Sequence, residues 1–123
     1  MVGYTGNIEQ LTLANEFFRQ VLFTGKYCQL VLMSLLPGEE IGMEVHESVD
    51  QFFRIEQGEA KFILSGEETV VGNGEVAIVP AGTQHNVINV GGETLKLYTI
   101  YSPPNHPDGT IHKTKAEAMS AEH

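Results

Sequence analysis

Residues 38–58, GEEIGMEVHESVDQFFRIEQG, and residues 74–89, GEVAIVPAGTQHNVIN, carry the architecture of this chain. Both begin with a glycine, run as short apolar stretches, and break at residues that favour tight turns. Gly and Asn supply the positive φ that such turns demand, and Pro80-Ala81-Gly82 forces a reversal just ahead of His85. Working outward, the same texture continues in both directions. Strands are predicted near Phe17–Phe23, Gln29–Leu36, Gly42–His46, Gln51–Glu56, Ala60–Leu64, Thr69–Val71, Val76–Val79, His85–Val90 and Leu95–Tyr101. Short strands at this spacing read as an all-β sandwich or closed barrel rather than a βαβ sheet.

Composition sets the outer limits. With 123 residues, 41% of them hydrophobic and 19% charged, the chain reads as one packed domain spanning 1–123. The barrel core is expected at about 17–101 and a tail at 102–123. Seven Lys plus Arg against sixteen Asp plus Glu give a net charge of −9, which argues against nucleic acid as a partner. No apolar run approaches the roughly 20 residues of a membrane helix, and Met1-Val2-Gly3-Tyr4 shows no signal segment. The expected setting is therefore cytoplasmic, with no membrane partner. Cys28, the one cysteine, excludes an internal disulfide and is expected to be a small buried hydrophobe ahead of an apolar strand.

Two segments call for further structure. Leu30-Val31-Leu32-Met33 is apolar on both faces, so either a second subunit or the N-terminal segment must cover the outer one. A homodimer is the expectation carried forward. In the tail, prolines at 103, 104 and 107 exclude a central strand, and Thr114-Lys115-Ala116-Glu117 has the pattern of a capping box ahead of a short helix.

The candidate chemistry begins with parity. Glu44 and His46 stand two apart in a predicted strand and leave the same face. Gln51 opens the next strand, with Phe53 and Ile55 on its side, and His85 opens another. Closing the sheet brings these four to one end of the interior. A carboxylate and two imidazoles there need a partner, and a divalent cation supplies one. His106, Asp108 and His112 can fold back over the mouth or bridge to a partner subunit. Tyr98 and Tyr101 point to opposite faces, so at most one of the two faces inward, and either can serve as a proton donor. Phosphate recognition requires convergent Arg or Lys, whereas Arg54 and Lys96 fall on faces opposite Gln51 and Leu97.

At this point the sequence resembles the cupin superfamily, in particular small single-domain bacterial cupins of the sugar-phosphate-isomerase-like group. Gly38, Glu44-x-His46, Gln51 and Gly58 reproduce the spacing of the first cupin motif. Gly74, Pro80, Gly82, His85 and Asn89 reproduce the second, and fifteen residues, Glu59 to Asn73, separate them. The resemblance implies a double-stranded β-helix, or jelly-roll, barrel with a short C-terminal extension. It also implies that Glu44, His46, Gln51 and His85 hold one divalent metal ion per subunit: zinc, manganese, iron, nickel or copper. Glu44 replaces the usual first His and Gln51 the usual Glu, so one carboxylate is kept and moved along the chain. Gly58, Gly74 and Gly82 carry turn geometry in this reading, and Asn89 is structural.

The function implied is a metal-dependent enzyme of isomerase, epimerase or dioxygenase type. Its substrate is an oxygenated small molecule, neutral or weakly anionic, such as a sugar, diketone or hydroxy acid. The competing expectation is a non-catalytic ligand-binding or sensing cupin, with an empty metal site as its extreme form.

Overall fold

Asn7 opens the first element of the computed structural model, which describes residues 2–121. Its Oδ1 accepts the N–H of Gln10 at 3.1 Å and caps α1, Ile8–Ala14. The helix ends at Asn15, whose side chain bonds the backbone N–H and C=O of Phe17 and turns the chain into the first strand. No element is predicted from the residue order of this segment. The signal is local nonetheless: an Asn cap ahead of Ile8, Leu11 and Thr12 at helical spacing.

Nine strands follow among the described residues: β1 Arg19–Thr24, β2 Gln29–Leu35, β3 Asp50–Gln57, β4 Ala60–Leu64, β5 Glu67–Val71, β6 Val76–Val79, β7 His85–Asn89, β8 Leu95–Ser102 and β9 Ile111–His112. They form a six-stranded sheet in the order β6-β3-β8-β2-β1-β9 and a three-stranded sheet in the order β5-β4-β7. All pairings are antiparallel. The expected all-β architecture is the observed one. Half of the capping box at Thr114 forms: Glu117 N–H donates to Thr114 Oγ1 at 3.1 Å and starts α2, Lys115–Ala121, while the Glu117 carboxylate accepts from Lys113 N–H at 3.0 Å rather than from Thr114.

Side-chain parity follows the sheet register across strands. Val79, Gln51, Tyr101 and Gln29 form one inward row; Ala77, Phe53, Thr99, Val31 and Val21 form the next. Phe53 and Phe62 meet edge to face across the two layers at 5.0 Å, both shut off from water. Burying a side chain of that size contributes about 1.5–3 kcal/mol. The β3–β4 turn depends on Gly58, at φ +94°: a Cβ there would lie 3.3 Å from Leu95 Cα. Asn89 is structural, as expected, with its amide donating to the carbonyls of Leu35 and Glu93.

On the outer face of the large sheet, the N-terminal segment is one of the covers. Helix α1 packs against β8 and β3, and Lys96 Nζ reaches back to the Asn15 carbonyl. The Tyr4 ring lies 6.0 Å from Phe23, and Leu32 is buried within the single chain. Cys28 corrects its expectation: it is exposed. The strand begins only at Gln29, and Cys28 sits in the hairpin turn, where its carbonyl accepts Gly25 N–H at 2.8 Å. Among the described residues, no helix is long and apolar enough to cross a membrane.

Candidate metal centre

Glu39 to His46 runs along β7 without forming the strand expected at Gly42–His46. Glu44 and His85 exchange backbone hydrogen bonds of 2.8 and 2.9 Å, and Ile41 N–H donates to Val87 O. Between them Gly42, at φ +110°, interrupts the ladder, and Asn86 Oδ1 accepts its N–H instead. The alternation survives the interruption. Met43 and Val45 are exposed, while Glu44 and His46 are partly buried and converge on His85.

Glu44, His46 and His85 each present one ligand atom, all within 4.8 Å of one another. The His46 and His85 rings lie 5.5 Å apart, and Glu44 Oε1 stands 3.7 Å from His46 Nε2, too far for a hydrogen bond. Burial alone would raise the Glu44 carboxyl. The His46 imidazole, then Arg19 and His85, outweigh it and hold the group below its ordinary range, so it is anionic at neutral pH.

The donor set fits a cation. His85 Nδ1 contacts the Thr83 carbonyl at 2.9 Å, and a carbonyl only accepts, so that nitrogen carries the proton. In its neutral form the ring then presents an Nε2 lone pair, and that nitrogen is buried and without a partner, as is His46 Nε2. Orphaned buried acceptors are rare because each forfeits its hydration. Gln51, on β3, donates Nε2 to Thr99 Oγ1 at 3.0 Å, which leaves its Oε1 buried and unpartnered. Three of the four expected side chains thus meet as one cluster, and the fourth, Gln51, keeps a spare buried oxygen on β3.

Of the two tyrosines, Tyr101 faces inward: its ring meets His46 edge-on at 5.9 Å. Burial pushes its hydroxyl well above the ordinary range, so it remains a proton-bearing donor. His106 folds back from the tail, with its Nε2 3.2 Å from that hydroxyl. Gln29 holds it there, being itself fully buried: Oε1 accepts from Asn105 and His106 N–H, and Nε2 donates to the His106 carbonyl. His112 lies on β9, against Arg19, and Asp108 is exposed in a turn.

Burial, then the Arg19 charge, lowers His106 to about 4, while the unfolded imidazole titrates at its usual 6.5. Between these values the unfolded chain takes up a proton that the folded chain refuses. Stability therefore falls as pH drops from about 6.5, and the loss is complete below about 4. With allowance for partial solvent contact, wild type should lose about 2 kcal/mol more than His106→Gln between pH 7 and 4. Urea denaturation of both proteins across that range checks this, and parallel pH profiles would count against it.

Arg19 is absent from the expected site residues, yet it lies buried beside them. It shares parity with Val21 in β1 and is only 2% exposed, so the signal was its position in a predicted strand. Arg54 and Lys96 do point outward, Arg54 toward Glu56.

Two facing antiparallel sheets that enclose a His-His-carboxylate cluster define a cupin. The family model described as a cupin domain matches residues 31–101, and the chain belongs to that family. It is 52% identical over 123 residues to YrkC of Bacillus subtilis (strain 168), a protein called uncharacterized. That match covers 94% of this chain and 66% of YrkC, so the chain spans just under two thirds of that relative. The crystal structure of BH2720 from Bacillus halodurans superposes with a TM-score of 0.94 at 44% identity, over 95% of this chain and 93% of that one. A predicted oxalate decarboxylase from Thermotoga maritima matches at TM-score 0.61 and 25% identity, over 64% and 69% of the two chains.

Proposed function

We propose that this chain is a small metal-dependent enzyme that acts on an oxygenated small molecule, by isomerisation, epimerisation or dioxygenation. The observation that carries the reading is the pair of buried, unpartnered Nε2 atoms of His46 and His85 beside an anionic Glu44. In this proposal Glu44, His46 and His85 hold one divalent ion, and Gln51 Oε1 is the fourth donor. Two imidazoles with one carboxylate suit iron(II), manganese, nickel or zinc. Once bound, such an ion polarises a carbonyl or hydroxyl oxygen, and a redox-active one also supports oxygen chemistry.

The chain's own residues supply the rest. Thr83 and Thr99 orient His85 and Gln51, as outer partners of metal ligands commonly do. Tyr101 holds a proton beside His46, within reach of an oxygen that gains negative charge. His106 backs that hydroxyl and, with the tail strap, shields it from solvent. A homodimer belongs to the same proposal, supported by the apolar Val76 and Ile78 left exposed on the outer sheet face. The cytoplasmic setting is likewise proposed on the acidic composition and the exposed free cysteine.

The test is a screen of metal-loaded protein against sugars, diketones and hydroxy acids, for oxygen uptake and carbonyl-isomer exchange, beside melting shifts. Turnover that disappears when the metal is chelated is expected. A ligand that raises the melting temperature but is never turned over would replace the enzyme with a binding module.

A further inference from the structure

The proposed enzyme needs a way to hold its substrate, and Arg19 is the buried group the chemistry above leaves unused. It opens β1 opposite His112 of β9, it is buried, and its guanidinium lies 5.3 Å from the centre of the Phe18 ring. One nitrogen, Nη1, donates to His112 Nδ1 at 3.2 Å. Nε–H is buried with no partner at all. Among the described residues, no carboxylate lies at ion-pairing distance from it. An arginine cannot shed its proton to escape burial, so a guanidinium without a carboxylate partner is a standing cost, which His112 and the Tyr101 hydroxyl relieve only in part. Proteins tolerate such a cost chiefly where a bound anion offsets it.

The surroundings fit that occupant. Arg19, His106, Pro107, Thr110 and His112 line a cavity of about 310 Å³, which suits a small metabolite. His106, on its wall, touches Tyr101, and Tyr101 touches His46, so two side chains link this cavity to the candidate metal centre. The Arg19 charge acts on Glu44, Tyr101 and His106 alike. A divalent ion and Arg19 together carry more positive charge than Glu44 cancels, so the combined site favours an anion.

We propose that Arg19 anchors the carboxylate of the substrate, and that the substrate class is a small oxygenated acid, such as a hydroxy or oxo acid. The guanidinium takes the carboxylate through Nε–H and a second N–H, and the rest of the acid lies against His106, on the side that leads through Tyr101 to the metal centre. This rests on the proposed function only for that second half. It narrows the substrate from sugars, diketones and hydroxy acids to the acids.

Lactate and its uncharged isostere lactamide test the anchor, on metal-free and on manganese-loaded protein. In metal-free wild type, lactate should shift the Arg19 Nε–H resonance, with affinity about tenfold above that of lactamide. Arg19→Met should bind both equally, and Arg19→Lys should keep part of the preference through its point charge. Equal affinity of wild type for the two probes, or an unmoved Nε–H resonance, overturns the anchor, and neither requires a variant to fold. The metal-loaded arm separates the two readings. Lactate preference without metal uptake leaves Arg19 standing and removes the metal enzyme, whereas metal uptake without lactate preference removes the anchor alone.

Discussion

Replacing His85 by alanine should lower bound metal from about one equivalent per chain to less than about a tenth, with His46→Ala close behind. The reason is coordination chemistry. Each substitution removes one of two neutral nitrogen donors, and a lone carboxylate with one imidazole binds first-row divalent ions weakly at neutral pH. Gln51→Ala should cost far less, because an amide oxygen is a poor donor. Metal analysis of protein purified without an affinity tag gives the numbers. Melting gives a second readout: metal at about 100 times its dissociation constant should stabilise wild type by about 2.7 kcal/mol and leave His85→Ala unmoved. His85 is buried, so its removal also opens a cavity, and circular dichroism of the metal-free proteins separates lost binding from lost folding. Equal metal in wild type and both histidine variants would end the metal assignment.

Gln29→Leu should destabilise the chain by about 3 kcal/mol, although leucine is apolar and of similar volume. Gln29 bonds Thr24 Oγ1 at 3.0 Å, the His106 carbonyl at 2.7 Å, and the N–H groups of Asn105 and His106 at 3.1 and 3.0 Å. Leucine satisfies none of these, and each polar group left dry costs about 1–3 kcal/mol. The sum is not reached, because Asn105 is exposed and the strap can lift into water. Lifting is the second expected result: amides 105 and 106 should lose protection from hydrogen exchange, and Tyr101 should lose its His106 cover. A variant as stable as wild type, with both amides still protected, would show that the strap does not depend on Gln29.

Much of the fold was legible in the residue order, because it depends on neighbours along the chain. Turn glycines and Pro80 mark the strand ends through backbone sterics, and alternation assigns faces wherever a strand is buried on one side. That placed Gln51, Phe53 and Ile55 together and set Tyr98 and Tyr101 on opposite faces, while the choice of Tyr101 as the inward one came only with the folded chain. The misses have equally local causes. Gly42 breaks the expected strand at Glu44, yet leaves the inward parity of Glu44 and His46 intact. Cys28 is exposed where burial is expected, because it stands one residue ahead of β2, in the turn. Helix α1 was passed over because seven residues carry little periodic signal beyond their Asn cap.

What the sequence alone determined is the barrel, the two motifs in order, and the identity of the side chains able to bind a cation. These follow from spacing, and spacing is a property of the chain. The tertiary structure alone decided which distant groups share a space. Arg19 comes from the first strand, His106 from a tail that Gln29 pulls back across 77 positions, and His112 from a strand of two residues. Their convergence depends on sheet closure and on single buried hydrogen bonds, which offset the entropy of ordering long loops only once the barrel exists. A linear reading contains no term for that, so the cation beside the candidate centre came into view only with the folded chain.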